Sequence, residues 1–410
     1  MSDAPQAFHV MAKPTGARCN LHCDYCFFLE KSELYPGSDF RMTDEVRDEF
    51  VRQNIAAQQV PFVTIAWQGG EPTLMGLDFF RDALEVEREA LPAGWQVERT
   101  IQTNGTLLDD EWAAFLAAND ILVGLSIDGP RELHDAYRHD GAGRSVFDAV
   151  EAAARLLQKH GAEFNVLCTV NAANVDHPLD VYRYFRDELG AQFLQFIPIV
   201  EVDRPMSATE SGTVTDRSVS SRAYGEFLSA IFDEWVRHDV GEMFVQFFDG
   251  VLGAYVNGYS SLCVLRPTCG EGLALEHNGD LYSCDHFVDT QHLLGNIMQT
   301  PIAELVAGDQ QQAFGQAKRD ALPEYCKACD VLFLCNGECP KNRILLAPDG
   351  EPGLNWLCEG LKLFFEHTDP YMRTMAELLA KNRDAADIMS LLAEETAPDA
   401  VDPASPSASS

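Results

Sequence analysis

Apolar residues fall into two alternating patterns over the first half of the chain. Short β-branched or aromatic runs begin at Phe8 (FHVMAKP), Val63 (VTIAWQ), Arg99 (RTIQTN), Ile121 (ILVGLSID), Glu163 (EFNVLCTVN) and Phe193 (FLQFIPIVE). Between them lie longer stretches whose apolar positions recur every three or four residues, the period of an amphipathic helix. TDEVRDEFVRQNIAAQQ opens on Thr43, a capping residue followed by acids, and SVFDAVEAAARLLQKHG from Ser145 closes on Gly161. Six such strand–helix units predict an α/β fold with a parallel sheet, most simply a partial TIM-like (β/α)6 barrel.

The pattern then changes. Residues 204–221 are polar and Ser/Thr-rich, which reads as a linker. A helix, AYGEFLSAIFDEWVRHD, is predicted from Ala223. Short strands follow, among them LALEHNGDLYSC, where Asn278 and Gly279 predict a hairpin turn. The end, EETAPDAVDPASPSASS, has the composition of a disordered tail. The expected organisation is a barrel over 1–240, a small cysteine-rich domain over 241–370, a C-terminal helix over 371–395 and a tail over 396–410.

Charge and cysteine usage narrow the chemistry. A formal net charge of −34, from 64 acidic against 30 basic residues, repels phosphate backbones and anionic lipid, so neither nucleic acid nor membrane is expected as a partner. The start, MSDAPQAFHVMAKP, lacks the features of a signal peptide, and no run of ~18 apolar residues spans a bilayer. A cytoplasmic location is expected, where thiols stay reduced. The twelve cysteines then read as ligands or catalytic groups rather than disulfides.

Cys19, Cys23 and Cys26 read C-x3-C-x2-C just after the first strand. Three thiolates suit a cuboidal 4Fe–4S cluster with one iron left open. A zinc site would need a fourth ligand, for which His22 is the local candidate. GGEP follows the second strand, TNG the third and SIDGP the fourth, and in barrels that edge is where active sites assemble. The triplet, with Tyr25 before its last cysteine, resembles the radical S-adenosylmethionine (SAM) enzymes. That resemblance implies a cluster whose open iron binds the methionine part of SAM, with cofactor contacts from Tyr25, Gln68, Gly69, Gly70, Glu71, Asn104, Ser126 and Asp128. Glu71 is the expected partner of the cofactor's ammonium group. Some relatives place a cofactor-binding arginine at the position of Ala152, whereas this chain has Arg155 one turn later.

Eight more cysteines occupy 263–358: Cys263, Cys269, Cys284, Cys326, Cys329, Cys335, Cys339 and Cys358. Taken alone, they suit two zinc ribbons as well as two fully ligated 4Fe–4S clusters. The spacing C-x9-G-x4-C, then C-x2-C-x5-C-x3-C, then C resembles the SPASM extension of peptide-modifying radical SAM enzymes. It implies one auxiliary cluster on Cys263, Cys269, Cys284 and Cys339, and another on Cys326, Cys329, Cys335 and Cys358. Cys168, inside an apolar strand, is expected to be a core residue.

The flanking segments CNLHCDYCFFLEKSELYP, WQGGEPTLMGLDFF, GLSIDGPRELHDAYR and QFIPIVE are similar to those of anaerobic sulfatase-maturating enzymes, over roughly residues 8–379. Membership would imply oxidation of a cysteine or serine in a sulfatase polypeptide to Cα-formylglycine, with three 4Fe–4S clusters and SAM as cofactors. A flavodoxin- or ferredoxin-type protein is the expected electron donor. Asp285, beside Cys284, matches the family's proposed base, and enclosure is expected to raise its pKa. Phe28 stands where several relatives carry tyrosine. Two rival readings are a SPASM enzyme forming thioether or carbon–carbon crosslinks and a non-enzymatic electron carrier or zinc scaffold. No peptide-binding domain is expected ahead of Cys19.

Overall fold

A computed structural model describes residues 7–396; the tail expected from the composition lies, from 397 on, outside the described residues. The six apolar runs form the strands β1 (His9–Ala12), β2 (Phe62–Trp67), β3 (Gln96–Thr103), β4 (Ile121–Ser126), β5 (Phe164–Val170) and β6 (Phe193–Pro198). They pair in chain order and in parallel. β3 starts earlier than its apolar run because residues 96–98 pair with 62–64 of β2. Val10, Ile65, Ile101, Val123 and Val166 on these strands are buried in one core with the helices. The helix Phe147–His160 contributes Phe147, Val150, Ala153, Ala154 and Leu157, a helical repeat, and ends at Gly161 with φ 71°. Thr43 caps the helix Asp44–Ala57, its hydroxyl accepting from Val46 N at 3.3 Å.

The stretch expected to be a linker is more ordered than its composition suggests. β7 (Val202–Arg204) and β8 (Thr213–Val214) pair antiparallel, and the turn between them is tied by Arg204 to Glu210 at 2.6 Å. The next helix, Ser221–His238, begins before Ala223 because the Ser220 hydroxyl accepts from the Ala223 amide at 3.2 Å.

The barrel sheet does not stop at six strands. β9 (Phe244–Val245) adds to the β6 edge. On the other edge β10 (Gly272–Leu275) pairs in parallel with β1, and a hairpin returns through β11 (Asp280–Tyr282) to β12 (Leu293–Asn296), giving ten strands in all. The β10–β11 turn falls at Asn278 and Gly279, the latter with φ 90°.

Two expected domain boundaries therefore move. Residue 240 precedes β9, which still belongs to the barrel sheet. Residue 370 lies inside one helix, Cys358–Ala380, which carries Pro370 in its interior. That proline removes one amide without ending the helix, because tertiary packing against Ser221–His238 holds it. The approach is so close that a Cβ on Gly360 would sit 1.8 Å from the Ser221 carbonyl oxygen. Among the described residues no helix is long and apolar enough to cross a membrane.

Candidate active site at the barrel mouth

The chain leaves β1 at Lys13 and runs directly into the loop of the first three cysteines. Two neighbouring segments hold that loop in place. From the end of β2, the amide of Gly70 donates to Gly16 O at 2.7 Å and that of Glu71 to Arg18 O at 3.0 Å. A Cβ on Gly70 would lie 2.1 Å from Arg18 O, so only glycine allows this approach. From the segment after β4, the carbonyls of Tyr137 and His139 accept from the amides of Asp24 (3.0 Å) and His22 (2.9 Å).

Cys19, Cys23 and Cys26 lie within electrostatic reach of one another. Burial pushes the Cys19 thiol up to about 12 and the Cys23 thiol to about 11, so at neutral pH they ionise only against a strong cation. His22, the candidate fourth ligand, is solvent-exposed and tilted toward the His139 ring at 6.3 Å between centroids. The donor set thus fits a three-cysteine cluster with an open iron better than a closed zinc site.

The other mouth residues converge on this loop. Asp128 is fully buried beyond β4; its Oδ2 accepts from Tyr25 OH and from Arg138 Nε at 2.9 Å, and its Oδ1 from Thr169 N at 2.9 Å. Burial alone would raise this carboxyl, but Arg138 outweighs it and the pKa falls. Asn104 at the end of β3 donates to Asn20 Oδ1 (3.0 Å) and lies 3.6 Å from Cys19 Sγ. Ser126 is buried where β4 ends. Gln68 Oε1 is buried with no hydrogen-bond partner among the described residues, an acceptor left over for a ligand.

Glu71 has a task the motif alone did not reveal. Its carboxylate is buried and accepts from Thr73 N (3.0 Å), Thr73 Oγ1 (2.6 Å), Thr103 Oγ1 (2.7 Å) and Asn104 N (2.8 Å). It braces the ends of β2 and β3 and spends most of its acceptor capacity inside the protein. Arg155 is exposed and pairs with Glu151 at 3.0 Å, away from the mouth.

Asp285, carried in by the β10–β12 hairpin, completes the mouth. It forms a direct ion pair with Lys13, whose side chain is completely buried. Lys31 Nζ stands 3.7 Å from the same carboxylate oxygen and donates to the Asp285 carbonyl at 2.6 Å. Both ammonium groups lie 4.9 Å from the centre of the Phe28 ring. The expectation of a raised pKa is corrected here. Burial does push the Asp285 carboxyl up, but Lys13 and Lys31 prevail and hold it well below the usual carboxylate range. Lys31 in turn is pushed down to about 8, chiefly by burial.

Eight of the nine remaining cysteines fall into two sets of four. Cys263, Cys269, Cys284 and Cys339 act electrostatically on one another, and so do Cys326, Cys329, Cys335 and Cys358. Two cations lie against them. Lys318 donates to the Cys263 and Val264 carbonyls at 2.7 and 2.9 Å, and Arg343 acts on cysteines of both sets. Cys168 is fully buried on β5, as its apolar run predicted. Lys13, Lys31, Arg138, Lys318 and Arg343 escaped the sequence reading. The only prior signal was Lys13 closing an apolar strand in MAKP.

Residues 14–184 match the radical SAM superfamily and residues 257–330 match SPASM, an iron–sulfur cluster-binding domain. The serine-type anaerobic sulfatase-maturating enzyme of Bacteroides thetaiotaomicron is 43% identical over 394 residues, covering 94% of this chain and 95% of that one. The chain belongs to the anaerobic sulfatase-maturating enzymes. It is a radical SAM enzyme of the oxidoreductase type. The cysteine-type anaerobic sulfatase-maturating enzyme of Clostridium perfringens is 35% identical over 370 residues, 90% of this chain and 98% of that one. A solved structure of native anSMEcpe with bound AdoMet and Cp18Cys peptide superposes with a TM-score of 0.81 at 34% identity, covering 90% of this maturase and 99% of that chain.

Proposed function

We propose that this maturase oxidises a cysteine or serine of a sulfatase polypeptide to Cα-formylglycine in the cytoplasm, drawing electrons from a flavodoxin- or ferredoxin-type protein. Cys19, Cys23 and Cys26 would hold the cluster that binds SAM, and the two foursomes would hold two auxiliary 4Fe–4S clusters. Bound there, SAM and its cluster would supply a radical able to take hydrogen from the substrate Cβ, and the auxiliary sites would accept the electron left on the substrate once its thiol or hydroxyl proton is removed. Gln68, the Gly69 and Gly70 backbone, Asn104 and Ser126 would orient the cofactor. Asp128, with Tyr25 and Arg138, would fix the far side of its pocket.

The observation that carries the reading is Asp285, brought from the C-terminal part to the mouth by Lys13 and Lys31. A carboxylate kept ionised at neutral pH is always ready to accept the substrate's thiol or hydroxyl proton. Its low pKa makes it a weak base, so its contribution rests on placement. Phe28 covers both ammonium groups, which keeps water from weakening the ion pairs.

The test is anaerobic incubation of the reconstituted enzyme with SAM and peptides containing C-x-P-x-R or S-x-P-x-R, followed by mass spectrometry. At least one peptide should gain the aldehyde mass shift. Asp285→Asn should lower aldehyde yield about 10²–10⁴-fold while SAM cleavage continues. Crosslinked product without aldehyde would replace this reading with peptide crosslinking.

A further inference from the structure

Cys335 and Cys339 belong to different foursomes, so the residues between them, Asn336, Gly337 and Glu338, are the shortest covalent path from one thiol set to the other. All three have left-handed backbone, with φ of 46°, 72° and 47°. Asn336 takes this conformation readily as a helix C-cap, but Glu338 does not, so the bridge is strained there and needs outside support. Arg343 supplies it. Its Nε donates to Gly337 O at 3.0 Å, and its Nη2 donates to Asn336 O at 3.2 Å and approaches Glu338 O at 3.5 Å. Nη1 donates to Lys318 O at 2.6 Å, which ties in the segment whose ammonium holds Cys263 and Val264. One planar guanidinium thus gathers the carbonyls of the bridge and stands within reach of Cys269 and Cys339 on one side and Cys326 and Cys335 on the other.

We infer that Arg343 is the positioning residue that couples the two auxiliary sites: it clamps the 336–338 bridge and fixes a positive charge between them, making both easier to reduce. The inference rests on the assignment of the eight cysteines as two cluster sites. Adding one electron to either cluster adds one negative charge, and a permanent cation alongside stabilises that state. Arginine suits the task because it remains charged when partly buried. Its forked donors also fix the bridge in one geometry.

The test is EPR-monitored redox titration of the reconstituted protein alongside its iron content. Arg343→Gln keeps donors for the bridge and removes the charge; Arg343→Lys keeps the charge and removes the fork. With about twelve irons bound, Arg343→Gln should shift the auxiliary midpoints to lower potential by about 59 mV, a tenfold change in the reduced-to-oxidised ratio. Arg343→Lys should restore most of that shift. Loss of auxiliary iron in Arg343→Gln but not in Arg343→Lys would also support the inference, since the charge would then be needed for assembly. Unchanged midpoints in iron-replete Arg343→Gln, or loss of iron in both variants, would overturn it. A parent protein binding only about four irons would instead remove the cluster assignment itself.

Discussion

The loop of Cys19, Cys23 and Cys26 and the two C-terminal foursomes are held in different ways. The loop is gripped from outside, by backbone hydrogen bonds to the ends of β2 and to the segment after β4. Apart from Cys358, which opens the helix Cys358–Ala380, the foursomes sit on loops and on elements of only three or four residues, such as Glu324–Lys327 and Leu332–Cys335, close to Lys318 and Arg343. A site that leaves one iron open has one fewer ligand to organise its loop, so the scaffold must do it. A fully ligated site closes its own loops, and most of its ligands there can do without long helices and strands.

The largest effect that could break this contrast comes from replacing Cys19, Cys23 and Cys26 with alanine. Formation of 5′-deoxyadenosine should fall to background while about eight irons remain. Loss of all iron would show that the C-terminal sites depend on the first. Removing iron by anaerobic chelation should act in the opposite region. Amide exchange over 326–339 should accelerate at least about tenfold, about 1.4 kcal/mol of local stability, while β2–β5 keep their protection. Equal acceleration in both regions would erase the distinction.

The smallest effect concerns the joint between the regions. Burial lowers Lys31 from 10.5 to about 8. Between those values the unfolded chain binds a proton there that the folded chain lacks, so stability rises with pH across that window. Below about pH 8 the buried ammonium costs the fold most. Lys31→Met should therefore exceed the parent in urea midpoint most clearly below pH 8, with the difference shrinking toward pH 10.5. A difference that is flat with pH would show that Lys31 does not titrate in the fold.

Local pattern disclosed the six parallel strands, the Thr43 cap, the hairpin at Asn278 and Gly279, and the cysteine spacings, because each is written in neighbouring residues. What it did not disclose depends on residues distant in the chain. Nothing near Asp285 announces that Lys13 and Lys31 will surround it, so enclosure alone gave the wrong direction for its pKa. Nothing in LALEHNGD says that β10 will extend the barrel at β1 rather than form a separate sheet. Pro370 would end a helix on local grounds, yet the helix Cys358–Ala380 runs through it while packing on Ser221–His238. Glu71 reads only as a ligand-facing acid until Thr73, Thr103 and Asn104 are seen to donate to it as well. Arg343 follows its last cysteine neighbour by only a few residues, yet its role depends on three left-handed residues folding back upon it.

The pairing of β10 with β1 has a consequence for handling the chain in pieces. A partial barrel has two open edges, and unpaired strand edges invite association with other chains. Here β9 covers one and the β10–β12 hairpin covers the other. A fragment ending before β9 would leave β1 and β6 both bare, and the barrel prepared alone should aggregate through them.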